Sequence, residues 1–238
     1  MGELIVQLLP PALGIALSPL AIMALVAILL SRLARVNGLA FLIGWSIGVL
    51  GVFALALWAL RSIELHETRE PPTWAAVVRI VLGLSLVIAA AWVYRRGQRH
   101  VDRMASADSP RGVVAAAPQL PGWLQTVSTF RPGRSAVLGT GIFALNPVDL
   151  SCAVIGALDI VLARLPDAQT IAVGTGFVVI GILPIAIPVV IVLIAGERAR
   201  RLLDRLRAWI ARHTNVLNAA LLLVIGALQL DKGATALL

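Results

Sequence analysis

The sequence predicts an all-α integral membrane protein, with six transmembrane helices forming an inverted repeat of three and three and an amphipathic cytoplasmic helix between spans five and six. Three observations lead there. Hydrophobic residues make up 59% of the 238 positions and charged ones 13%, and the mean hydropathy of +0.93 exceeds what a soluble domain of this size carries. The apolar residues fall in runs, at about 8–31, 38–60, 74–94, 136–162, 168–195 and 214–236, long enough for helices to cross a hydrocarbon core of about 30 Å. Finally, "ALSPLAI" at 16–22 returns as "ALNPVDL" at 144–150, with Ala, Leu and Pro in register.

Charge placement sets the topology. The twenty basic residues are nineteen Arg and Lys232, and the chain carries a formal charge of +8. They lie between apolar runs, which favours a membrane role over a nucleic-acid patch. Fifteen arginines fall in the first, third and fifth loops, against Arg61, Arg69, Arg79 and Arg164 on the other side. Short cytoplasmic loops accumulate Arg and Lys, so both termini are expected outside a plasma (inner) membrane that the chain crosses several times. Met-Gly-Glu lacks the basic start of a cleaved signal, and the first apolar segment is expected to be retained.

Taken in order, Pro10-Pro11 shapes entry to span one. Span two contains Gly44 and Gly48, a GxxxG pair that favours close helix packing. Residues 1–94 then form the first three-helix repeat. A cytoplasmic linker at 95–134, rich in Pro, small and basic residues, separates it from the second repeat at 135–238 within one transmembrane domain. Near the linker's end, Trp123, Val127 and Phe130 recur at helical spacing beside arginines, which fits either a segment on the bilayer surface or a loop against the bundle. Span five holds Pro184 and Pro188, candidate hinges because proline interrupts the helical hydrogen-bond ladder. In the fifth loop, Leu202, Leu203, Leu206, Trp209 and Ile210 follow an i, i+3, i+4, i+7 pattern, with Arg198, Arg201, Arg205 and Arg212 largely opposite. An interfacial helix is expected there, anchoring the chain on anionic lipid headgroups or recognising a lipid substrate.

The repeat continues past the first match: Gly44-Trp45 has a counterpart in Gly176-Phe177, and "VLGL" at 81–84 resembles "VIGAL" at 224–228. Gly176 is thereby expected, with Gly44 and Gly48, at a helix contact. Because each half has an odd number of spans, the second enters the membrane from the opposite side. Inverted repeats of this kind recur in secondary transporters, where broken helices place their ends at a central binding site. Ser18-Pro19 and Asn146-Pro147 each spell a helix restart, with a preferred N-cap followed by a proline that costs no hydrogen bond in the first turn. Asp149, three residues after its cap, resembles the acid of a capping box and suits the positive end of the helix dipole. It is also the only acid placed well inside a span, with Asp159 nearer a span's outer end. A deep ionised carboxylate costs several kcal/mol unless it is paired, or it takes a proton. Asp149 therefore reads as a cap, as a protonatable coupling group or as a substrate contact.

Other chemistry is sparse. Cys152 is the single cysteine, so neither a disulfide nor a paired-thiol site is available. No phosphate loop, HExxH or nucleophile elbow is present, and His66, His100 and His213 do not form a metal site by spacing. No cofactor, metal or enzymatic activity is expected.

"ALGIALSPLAIMALVAILLS", "RVNGLAFLIGW", "STFRPGRS", "ALNPVDL", "GERARRLLDRLRAWI" and "NAALLLVIGALQL" resemble, in this order over nearly the whole chain, the GAP or Sap family of actinobacterial membrane proteins. That family is named for glycolipid and sulfolipid addressing and belongs with the LysE superfamily of six-span bundles. The resemblance implies movement of cell-envelope glycolipids or related amphiphiles, often beside a larger lipid exporter or an envelope-biosynthesis protein. The chain departs from the family at Val148, where Lys often follows "NP", so one candidate contact for an anionic headgroup is missing. The leading expectation is a transporter or export accessory for a glycolipid or lipid-linked substrate, with Ser18, Pro19, Asn146, Pro147 and Asp149 lining a central site. The alternatives are a non-transporting scaffold that recruits an exporter, and a LysE-type exporter of a small solute or cation. Membrane lipids are the expected partners, and a homodimer is left open.

Overall fold

A chain surrounded by hydrocarbon must satisfy its backbone polar groups internally, and a helix does so within one segment. The computed structural model describes residues 2–64, 73–105, 130–195 and 200–237, and every regular element among them is a helix. In chain order these are α1 (Gly2–Ala16), α2 (Pro19–Leu29), α3 (Ala34–Glu64), α4 (Thr73–Ala105), α5 (Pro132–Leu145), α6 (Pro147–Leu162), α7 (Asp167–Ala195) and α8 (Arg200–Thr235). Helices α3, α4 and α7 are each long and apolar enough to cross a bilayer. The pairs α1–α2 and α5–α6 are so only together, bent by 44° and 68° at their breaks. Three spans result among the described residues, or five when each bent pair counts as one.

Both breaks fall where the sequence places a proline after Ser or Asn. Pro19 and Pro147 open α2 and α6 in their first turns, where the missing N–H leaves no carbonyl unsatisfied. Pro10, Pro11, Pro184 and Pro188 lie inside helices instead, and α7 remains one helix through both of its prolines. Pro184 offers no N–H to the carbonyl one turn before it. The next carbonyl, that of Gly181, accepts the indole N–H of Trp45 at 3.2 Å.

Two tight helix pairs organise the bundle. Along α3 and α5, Asn37 bonds to the Phe130 carbonyl, Gly44 lies against Ala136 and Gly48 against Thr140 and Phe143, so these helices run in the same direction. The backbones nearly touch: a Cβ on Gly139 would stand 2.5 Å from the Phe41 oxygen, and Thr140 donates to the Gly44 carbonyl at 2.7 Å. Along α4 and α8 the order is reversed, with Ala76 beside Gly233 and Val87 beside Gly226. Here Gly83 and Gly226 face each other, and a Cβ on either would come 2.9 Å from the other's carbonyl oxygen. Within the α3–α5 pair Trp45 and Phe143 meet edge to face, and Phe53 of α3 stacks on Phe177 of α7, both at 5.1 Å.

A side chain at position 44 would collide with the Ala136 backbone, which cannot move without shifting α5. Gly44→Leu is therefore expected to destabilise the fold by about 1–3 kcal/mol or more, read as a lowered thermal unfolding midpoint in detergent. Gly51→Leu, whose Cβ would meet nothing within 4 Å, should leave the midpoint unchanged.

Several segments differ from expectation. Helix α4 continues to Ala105 and α5 begins at Pro132, so the expected linker is helical at both ends, and Trp123 and Val127 lie outside the described residues. Phe130 is described, half-buried against the core. The fifth-loop helix is not a separate element: α8 runs unbroken for 36 residues from Arg200 into the region expected as span six. No strong breaker separates "RAWIARH" from "TNVLNAAL", so nothing stops the helix. Arg201, Arg205, Trp209 and Arg212 occupy its first turns, with side chains outside those described, and Arg198 lies outside the described residues.

Candidate functional site

The two breaks end up in contact, and they do so through side chains. At the first, Ser18 has φ −56° and ψ 105° and makes no side-chain cap to α2, although its carbonyl accepts the Ile22 N–H. Its hydroxyl donates instead to Oδ2 of Asp149, 131 positions away, at 2.9 Å. At the second, Asn146 is a true cap. Its Oδ1 accepts the Val148 N–H at 3.1 Å while its Nδ2 donates to the same Asp149 Oδ2 at 2.7 Å.

This corrects the capping-box reading of Asp149. In a capping box the acid accepts the backbone N–H of the cap, but the Asn146 N–H is already given to the Ile142 carbonyl, which ends α5. Among the described residues the Asp149 carboxylate bonds only side chains, one from each break. Its Oδ1 is buried with no hydrogen-bond partner, and among the described residues no ion pair includes it. Asp149 is fully buried and Ser18 2% exposed, whereas Asn146 and Pro19 are half-buried and Pro147 is exposed. The constellation thus has a dry acid at its centre and an accessible edge. Sequence-predicted Ser18, Pro19, Asn146, Pro147 and Asp149 are all brought to this place.

A second polar centre was not anticipated. Asp159, expected near a span's end, has a fully buried side chain, and Arg79, counted among outer-loop arginines, lies within α4 and is 7% exposed. They pair at 2.7 Å. Arg79 also donates to Gln229 at 2.9 Å. Lys232 approaches Asp159 at 3.4 Å and donates to Gln7 at 3.2 Å. Two cations share one carboxylate, which joins α1, α4, α6 and α8 in a single network. Ten residues separate Asp149 from Asp159 on α6, about 15 Å at helical rise, so the centres are half a hydrocarbon thickness apart. The signal for it was present: an arginine inside an apolar run and an acid inside another need each other.

The remaining predicted residues lie elsewhere. Gly44 and Gly48 are at the α3–α5 contact, but a Cβ on Gly176 would meet nothing within 4 Å, so Gly176 is not at a tight helix contact. Pro184 and Pro188 lie inside α7. Cys152 is a free, buried cysteine, close enough to Gly14 that a Cβ there would stand 2.6 Å from its sulfur. Among the described residues no group of His, Cys, Asp and Glu is arranged to hold a metal.

The family model described as Sap, sulfolipid-1-addressing protein, matches residues 8–235. The chain belongs to the Sap family. The match takes in both breaks and every residue of the two polar centres except Gln7. No curated protein and no solved structure matches the chain.

Proposed function

We propose that this Sap-family chain is a membrane transporter, or the membrane component of an export system, for a lipid-linked or glycolipid substrate, with its centre at Ser18, Asn146 and Asp149. The observation that carries the reading is the hydrogen bond from Ser18 of one helix break to Asp149 of the other. A bond between breaks requires both discontinuities to lie at one depth in the bundle, as in transporters whose broken helices bind substrate. A carboxyl group in that setting, without a cation partner, is less costly when it can take a proton than when it stays charged. Asp149 then couples proton movement to the change between inward-facing and outward-facing states.

Supporting the lipid assignment are the description of the family as sulfolipid-1-addressing and the apolar character of the spans. An inverted repeat is supported by the reciprocal contact of Gly83 and Gly226, which stand at matching places in the two halves. In this reading the half of α8 beyond Val216 is the sixth span, the topology is LysE-like, and both termini lie outside the plasma membrane. No enzymatic step is assigned to the chain.

Purified protein in liposomes is the test. It is expected to move a labelled glycolipid between leaflets unaided. No movement of lipid, together with co-purification of a larger exporter, would replace transport by the scaffold reading, and efflux of a water-soluble solute alone would replace it by small-solute export.

A further inference from the structure

Helices α1 and α7 leave between them a groove of about 410 Å³, lined by Leu8, Ala12, Gln169, Val173, Gly176 and Ile180 among others. The place of this groove in the repeat gives it meaning. Carrying the match of the two breaks back along α1 and α5 sets Leu8 opposite Ala136 and Ala12 opposite Thr140. Carrying the match of Gly44-Trp45 with Gly176-Phe177 forward sets Gly48 opposite Ile180. Gly44, Gly48, Ala136 and Thr140 are the residues of the closed α3–α5 seam. Their four counterparts, Gly176, Ile180, Leu8 and Ala12, all line the open groove. One seam is sealed backbone to backbone, and at the equivalent place on the other a Cβ would meet nothing.

The two seams also face opposite ends of the bundle. The α3–α5 contact lies toward the starts of those helices, and the groove lies toward the starts of α1 and α7, which run the other way. Its rim is hydrocarbon: Ile5, Leu9 and Ile180 line it and are exposed on segments that qualify as spans. A cavity with such walls does not hold water, and the bilayer supplies one apolar chain in abundance.

We propose that the α1–α7 groove is a binding site for one acyl chain of a bilayer lipid, and that it alternates with the α3–α5 seam. In the conformation described here the groove is open and the seam shut. In the second conformation Gly176 closes onto Leu8 while Gly44 parts from Ala136, which moves the tail site to the other end of the bundle. This inference deepens the transport reading and rests on it for the alternation, whereas tail binding in the groove stands on the cavity alone.

The experiment uses the full chain in liposomes of phosphatidylglycerol and phosphatidylethanolamine doped with a phospholipid bearing a photoreactive tail. Labelling is expected to concentrate on Leu8, Val173 and Ile180. Gly176→Leu fills open space and should lower that labelling about tenfold without lowering thermal stability, because a leucine displaces several methylene groups from contact. Val173→Trp, which fills the groove from a second position, should do the same, and Gly51→Leu should not. Labelling spread evenly over lipid-facing residues such as Trp58 and Val179, or unchanged in both groove variants, overturns the tail site. For the alternation, Leu8→Cys, Gly176→Cys and Ala136→Cys are combined in a Cys152→Ser background, copper phenanthroline and oxygen take two electrons from the thiols at 8 and 176 to form the disulfide that locks the groove shut, and the thiol at 136 is then probed with a small maleimide and read by peptide mass spectrometry against the same chain left reduced. Reactivity at position 136 should rise about tenfold on locking; no rise overturns the alternation. If the groove variants lose labelling while Asp149-dependent transport persists, the tail site stands but lies off the transport path. If labelling is normal and no lipid moves, the transport reading fails and the tail site remains.

Discussion

Asp149→Asn is expected to abolish pH-dependent lipid export while leaving the abundance of the protein in the membrane unchanged. Asparagine keeps the shape of the side chain and an oxygen that can accept from Ser18 and Asn146, whose bonds to Asp149 measure 2.9 Å and 2.7 Å. It cannot exchange a proton. The substitution therefore separates the two roles that the position has: structure is retained and coupling is lost. Asp149→Leu makes the contrast. It removes the acceptor for both donors in a buried place, at about 1–3 kcal/mol for each donor left unsatisfied, and should reduce abundance as well as export. Export measured against external pH, with the protein quantified by immunoblot, reads both effects. If Asp149→Asn exports with the same pH profile as the natural chain, the carboxyl group is a structural link between the breaks and carries no proton.

The largest loss of stability is expected from Asp159→Leu. This change leaves Arg79, whose side chain is 9% exposed, facing Lys232 with no carboxylate between them, and removing one partner of a buried pair costs about 3–5 kcal/mol. Arg79 keeps Gln229 as an acceptor, which relieves part of the cost but does not neutralise the charge. Lys232→Met should be milder, because the Lys232 side chain is 26% exposed and Asp159 retains its shorter bond to Arg79. Thermal unfolding of the purified variants in one detergent gives the order. Equal midpoints for Asp159→Leu and Lys232→Met would show that the network does not hold the four helices together.

The residues of the first centre announced their relation in the sequence, whereas those of the second signalled a need for partners without naming them, for a physical reason. Ser18-Pro19 and Asn146-Pro147 are local signals: a cap and a first-turn proline specify a helix start wherever the chain goes, and the repeat of "ALSPLAI" in "ALNPVDL" announced that the two were related. That their side chains would join was not local, and the cap chemistry that the sequence offered to Ser18 and Asp149 gave way to the bond between them. Arg79 and Asp159 illustrate the opposite case. Each sits in an apolar run with nothing beside it in sequence to pair with, and only the packing of α4 against α6 and α8 brings them together. Gly176 followed Gly44 in the repeat, yet one lies against a neighbouring backbone and the other against open space, because symmetry of sequence allows two unequal arrangements of the same contact. The fifth-loop helix was read correctly as helical but as separate, since an amphipathic face changes period and polarity without any residue that ends a helix.

The central claim is that the meeting of the two breaks at Asp149 forms a proton-linked transport centre. The most direct measurement follows lipid movement and internal pH together in proteoliposomes, using a labelled glycolipid and an entrapped pH-sensitive dye. The natural chain is predicted to show proton flux that rises and falls with lipid movement, and Asp149→Asn to show none. Lipid movement without proton flux, or proton flux that is the same in Asp149→Asn, would contradict it.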